Sequence, residues 1–200
     1  MRRNGADFEI IANGTFLMDT RDGTSERLLV TAAADRMPAG APILIGGLGV
    51  GFSLRAALDH PRAGSVVVVE RERAVVDWNH GPLAAFHADA LADPRVVCVE
   101  ADLVAWLSQT RDLFGAVCLD VDNGPEWTVT DENAALYTES GIARLAGMLV
   151  PGGVLAIWSA AGSDAFAARL RRHFPAVDVL AVPAPRGEPD VVYLGYSVAV

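Results

Sequence analysis

The chain reads as an α/β fold whose mostly parallel sheet has seven strands, ends in an antiparallel hairpin and follows a short N-terminal β flap. Two patterns predict this. From Ala41 onward, β-branched runs of strand length alternate with longer stretches whose apolar residues recur every three or four positions, as crossover units require. The end of the chain instead carries two strand-like runs joined only by a Pro/Gly/charged turn.

Strands are expected at 42–46 (PILIG), 65–70 (SVVVVE), 95–100 (RVVCVE), 115–120 (GAVCLD) and 153–158 (GVLAIW). Each is a continuous apolar run, the signature of a strand buried on both faces. Helices are expected between them, over Gly51–Leu58, Arg73–Ala90, Leu103–Gln109, Glu132–Leu149 and Ser163–Phe174. The closing hairpin pairs VDVLAVP (177–183) with VVYLGYSV (191–198) around APRGEP. The first forty residues differ. FEIIANGTFLMDT and ERLLVTAA read as short strands around the turns Asn13-Gly14 and Asp22-Gly23, a flap over residues 1–40 too small to be a domain beside 41–200. Its apolar strip is suited to cover a crevice or to pair edge to edge with a second copy in a homodimer.

Two hundred residues, 52% of them hydrophobic, suit one core. The net charge is −9 and all 16 basic residues are arginines. A negative field repels phosphate backbones and anionic membrane surfaces, so neither nucleic acid nor membrane is an expected partner. Absence of lysine excludes Schiff-base and Walker-type phosphate chemistry. Cys98 and Cys118 lie inside apolar runs and read as small buried hydrophobes. His60, His80, His87 and His173 share no ligand spacing, so no metal is expected, and no serine has a positioned histidine partner. No stretch reaches the roughly 18 apolar residues of a membrane span and no secretory leader is evident, so the expected location is cytoplasmic.

The first parallel strand runs into Gly46-Gly47-Leu48-Gly49-Val50-Gly51 and then a helical pattern. Glycines there allow a tight turn and close approach of a nucleotide-like ligand. Glu70 ends the next strand, 19 residues after Gly51, where a carboxylate can accept the hydroxyls of a ribose. Asp102 follows the third strand, and Asp120-Val121-Asp122-Asn123-Gly124-Pro125 follows the fourth. Carboxyl ends of parallel strands share one edge, so Gly47, Glu70, Asp102 and Asp120 should converge. Asp120 and Asp122 would face one pocket only if the strand continued past Asp120. Tyr137 lies in a helical segment, as a core aromatic or as a partner of Asp120, and Trp127 stands where it could stack on a ligand or shield the core.

IGGLGVG, VVVVERE, VVCVEADLVAWL, GAVCLDVDNGPEW and LVPGGVLAIWSA, in that order over residues 42–158, resemble the class I S-adenosylmethionine-dependent transferases, and within them the spermidine synthase-like branch. The resemblance implies a Rossmann-like class I methyltransferase fold. It implies that Gly46, Gly47, Gly49 and Gly51 wrap the amino-acid end of S-adenosylmethionine or its decarboxylated form, that Glu70 holds the ribose, and that Asp102 and Leu103 frame the adenine. Asp120 would lie near the sulfonium as the catalytic aspartate, with Asp122 and Tyr137 as partners in catalysis and Asp122 and Trp127 against the acceptor. Three departures stand out. Gly49 replaces the aspartate of the family's GGGDGG loop, Asp120 and Asp122 are two apart rather than three, and ERLLVTAA offers no clear counterpart of the YHE-type substrate gate. The expected activity is transfer of a methyl or aminopropyl group to a small amine-bearing acceptor. The alternatives are a cofactor-binding or assembly protein without turnover and, further behind, a nicotinamide-dependent dehydrogenase.

Overall fold

The structure, a computed structural model, describes residues 1–12, 15–128, 130–183 and 188–197. Its centre is a seven-stranded sheet with spatial order β6-β5-β4-β7-β8-β10-β9. The strands are β4 (Ile43–Gly46), β5 (Val66–Glu70), β6 (Val96–Glu100), β7 (Phe114–Leu119), β8 (Leu149–Ser159), β9 (Ala176–Val182) and β10 (Asp190–Tyr196). Strands β4 to β8 pair in parallel, and β10 runs antiparallel between β8 and β9. This is the expected sheet. Gly46 pairs with both Val69 and Leu119, and Glu70 with Glu100, so the parallel strands end level with one another. The residues just beyond those ends therefore share one edge.

A separate three-stranded antiparallel sheet precedes this body, formed by β1 (Arg2–Asn4), β2 (Asp7–Ala12) and β3 (Thr15–Asp19). The Asn13-Gly14 turn and most of APRGEP lie outside the described residues, as does Val198. Ile10 packs into an apolar cluster with Val50, Phe52 and Leu83, which seats the small sheet on the glycine-loop end of the body.

Four expectations need correction. ERLLVTAA is no strand but part of helix α1 (Thr24–Arg36), which starts where Asp22 Oδ1 accepts from the Thr24 N–H and hydroxyl, at 2.9 and 2.6 Å. Its Leu29, Val30, Ala33 and Ala34 are buried in the core beside Val192 and Leu194 of β10, so burial on one face outweighed the β propensity of Leu-Leu-Val-Thr. The helix expected over Arg73–Ala90 stops after α3 (Arg73–Asn79), because Gly81-Pro82 cannot continue it, and breaks into short 3₁₀ turns. Glu132–Leu149 divides at Thr138 into a 3₁₀ segment (Asp131–Tyr137) and α5 (Glu139–Gly147), with Thr138 Oγ1 capping α5 through the Gly141 N–H at 3.1 Å. The last helix, α6, is shorter than expected, Asp164–Leu170, and is capped by Ser163, while α2 (Phe52–Asp59) and α4 (Leu103–Gln109) lie where periodicity placed them.

Leu29→Ala should lower the free energy of unfolding by roughly 2–5 kcal/mol, whereas Val97→Ala, on the exposed face of edge strand β6, should change it by less than about 0.5 kcal/mol. Urea denaturation of both variants checks the placement of α1 in the core.

Candidate active site

A cavity of about 810 Å³ opens at the level ends of the parallel strands. Gly47 and Gly49 reach it from the loop after β4, Glu70 from β5, Asp102 and Leu103 from the start of α4, Asp120 and Asp122 from the turn after β7, and Trp127 from the loop beyond. Convergence read from strand order is thus realised. Gly46 and Gly51 are not in its lining. Gly46 lies under Leu103, whose Cδ2 would be 2.7 Å from an added Cβ, and Gly51 begins α2 under the ring of His87. At both positions packing and turn geometry account for the glycine.

The glycine loop is held from several sides. Glu70 Oε2 accepts the Leu48 N–H at 2.9 Å, and its Oε1 accepts the Glu72 N–H at 2.8 Å. Asn79, at the end of α3, donates to the Gly49 carbonyl at 2.8 Å. Burial pushes the Glu70 carboxyl above its ordinary range, and the two backbone amides oppose that rise. Each carboxylate oxygen keeps a second lone pair for a ligand hydroxyl. Asp102 Oδ1 caps α4 through the Ala105 N–H at 2.8 Å, so its carboxylate positions the helix that brings Leu103 to the cavity.

On the other side, β7 stops at Leu119, yet Asp120 and Asp122 still reach the same cavity because the chain bends between them. The expectation that a turn would separate them does not hold. Asp122 is only 6% exposed and accepts from the Tyr137 hydroxyl at 2.9 Å and the Asn133 amide at 3.0 Å. Tyr137 itself is buried, its ring edge against Phe166, and it stands outside the cavity lining. Burial and the neighbouring Asp122 carboxylate raise the phenol well above its ordinary range, so it stays a donor. Tyr137 therefore holds Asp122 from behind the cavity wall.

Asp120 meets other carboxylates. Burial pushes it up to about 8, Glu26 and Asp190 add to the rise, and a Ser53 hydroxyl opposes it. Glu26 of α1 and Asp190, the first residue of β10, also line the cavity, and both are raised by burial and by neighbouring acids. Sequence reasoning missed these two. Glu26 was hidden by reading its segment as a strand, and Asp190 by lying far along the chain on the one antiparallel strand that begins at this edge. Arg71 is the sole cation among the described residues lining the cavity.

Comparison with known proteins gives the family and the fold. Residues 25–162 match the family described as the spermine/spermidine synthase domain. The chain belongs to that family. A polyamine aminopropyltransferase 2 from Pseudomonas aeruginosa is 34% identical over 119 residues, 58% of this chain and 32% of the relative. One from Mycobacterium tuberculosis is 29% identical over 160 residues, covering 78% of this chain and 29% of the relative. This spermine/spermidine synthase domain thus spans about a third or less of the curated relatives it matches. A crystal structure of spermidine synthase in complex with the transition-state analogue AdoDATO superposes with a TM-score of 0.78 at 17% identity, over 94% of this chain and 66% of that one. Human methyltransferase-like protein 13 in complex with SAH superposes with 0.61 at 18% identity, over 86% of this chain and 79% of that one. The fold of this family member is accordingly the Rossmann-like one with an antiparallel end.

Because its carboxyl is raised to about 8, folded Asp120 holds a proton that the unfolded chain gives up near pH ~4, so its burial costs more stability as pH climbs from about 4 to about 8. Asp120→Asn should therefore gain on the wild type with rising pH, on the order of 1 kcal/mol or more between pH ~5 and pH ~8.5. Urea midpoints of the two proteins across that range check the sign.

Proposed function

We propose that the chain transfers an aminopropyl group from decarboxylated S-adenosylmethionine to an amine-bearing acceptor. The carrying observation is that Asp120, Glu26 and Asp190 crowd one another in the cavity that Glu70 and the glycine loop also line. Half-buried carboxylates crowded together are costly, and a bound ammonium is the ligand chemistry that relieves the cost. The same acidity favours the decarboxylated donor, since a donor carboxylate would face like charge with Arg71 as its one described cationic neighbour. Names of the relatives support the same class, being polyamine aminopropyltransferases.

The residues present fit such a donor, which is a second substrate and brings a carbon already activated by the positive sulfur. Glu70 would accept ribose hydroxyls with its remaining lone pairs, Gly47 and Gly49 would present backbone to the aliphatic end, and Asp102 and Leu103 would border the base. Asp120 would hold the acceptor ammonium and take its proton. The freed nitrogen lone pair then forms the N–C bond while the C–S electron pair leaves with sulfur. An ammonium beside Asp120 lowers its carboxyl from the value of about 8 that it has in the free site, so it meets the acceptor as a carboxylate able to take the proton. Asp122, locked by Tyr137 and Asn133, would direct the acceptor through its place in the same lining.

Asp120→Asn should lower kcat by about 10²-fold or more with the donor still bound. Glu70→Gln should raise the donor KM by about tenfold, for loss of a charged hydrogen bond. Tyr137→Phe should lower kcat by a few-fold to tenfold with little change in donor KM, since it frees Asp122 without touching the donor. Calorimetry with the two donor forms tests the reading directly: tighter binding of the carboxylated form would replace aminopropyl by methyl transfer.

A further inference from the structure

A glycine-rich loop binds an anion through its backbone N–H groups, so the donor forms it can take depend on which of those groups are open. Here most are spent within the protein. The Gly47 N–H donates to the Val69 carbonyl at 2.9 Å, the Leu48 N–H to Glu70 Oε2 at 2.9 Å and the Gly51 N–H to the Leu48 carbonyl at 2.8 Å. Val50 is fully buried in the apolar cluster that seats the small sheet. Gly47 and Gly49 line the cavity, so among the described residues the Gly49 amide is the loop's one open donor there.

Gly49 is in turn covered by the N-terminal hairpin. Its backbone turns through φ +51°, and a Cβ added there would collide with the Met18 sulfur and lie 3.2 Å from the Met18 methyl carbon. Met18 lines the cavity as well. It is well seated, because Ile10 stands opposite it in the β2–β3 pairing and both pack with Val50, Phe52 and Leu83. A thioether carries no charge and donates no hydrogen bond. A methylene chain covers it favourably, whereas a carboxylate brought against it gives up hydration and gains no donor. Arg71, the one described cation of the lining, has Glu72 as its neighbour, Nε to Oε1 at 3.6 Å.

We infer that Met18 selects the donor form: seated on Gly49, it gives the donor's aliphatic end an apolar contact and denies a donor carboxylate the hydrogen bonds it needs. This rests on the aminopropyl transfer proposed above and makes the N-terminal hairpin part of the donor site.

The test measures, by calorimetry on the full chain, the Kd for S-adenosylmethionine divided by the Kd for its decarboxylated form. The wild type should bind the decarboxylated form more tightly. Met18→Arg supplies a charged donor at this point and should cut the ratio by about tenfold or more, and the uncharged Met18→Gln by about threefold. Met18→Leu, apolar like the original, should leave it nearly unchanged. Phe16→Arg places the same charge elsewhere on the hairpin wall of the cavity and should move the ratio far less than Met18→Arg. Where Met18→Arg does not fold, Met18→Gln, close to methionine in size, carries the comparison. A ratio that neither Met18→Arg nor Met18→Gln lowers, or that Phe16→Arg lowers as much, overturns the inference and leaves the donor assignment standing. A wild type without preference for the decarboxylated form overturns both.

Discussion

Gly47 has no side chain, and the rest of the site depends on it. An added Cβ would lie 2.3 Å from the Asp120 carbonyl oxygen, and the backbone turns there through φ +88°, which L side chains rarely adopt. Backbone bonds hold both partners of this approach, Gly47 N–H to the Val69 carbonyl and Asp120 N–H to the Gly46 carbonyl, each at 2.9 Å. The loop and the aspartate, which line one cavity, are thereby joined across three adjacent strands. Glu70 and Asn79 then fix Leu48 and Gly49, so the loop is organised before any ligand arrives.

A second constraint is electrostatic. Asp120 and Asp122 are two residues apart, yet the first is pressed by Glu26 and Asp190 while the second is satisfied by Tyr137 and Asn133. Neighbouring carboxyls in contrasting surroundings take different roles, one able to exchange a proton and the other fixed in place. The free protein bears the cost of the crowded group, which on the function proposed above a cationic ligand would offset.

Much of this was legible from residues alone. Continuous apolar runs fixed the parallel strands to within a residue or two at most ends, since a strand buried on both faces has few other readings. Asp102 and the glycine pattern marked the correct edge because strand ends in a parallel sheet share one side. Leu-Leu-Val-Thr of α1 misled, because its helical stripe is shallow against an alanine-rich face and only packing on the sheet decides between helix and strand. Gly46 and Gly51 looked equivalent to Gly47 and Gly49, since sequence cannot tell a glycine required by packing from one that bares its backbone to a cavity.

Sequence by itself determined the sheet, its antiparallel end and the identities of Glu70, Asp102 and Asp120 at the edge where the cavity opens, because these follow from periodicity and strand polarity, which are local. Only the tertiary structure decided that Glu26 and Asp190 join Asp120, that Tyr137 serves Asp122 from behind, and that Phe16 and Trp127 stand on the same cavity. Those groups come from the N-terminal hairpin, the first helix, the middle of the chain and the last strand. Their meeting depends on how the elements pack, and no spacing along the chain encodes it.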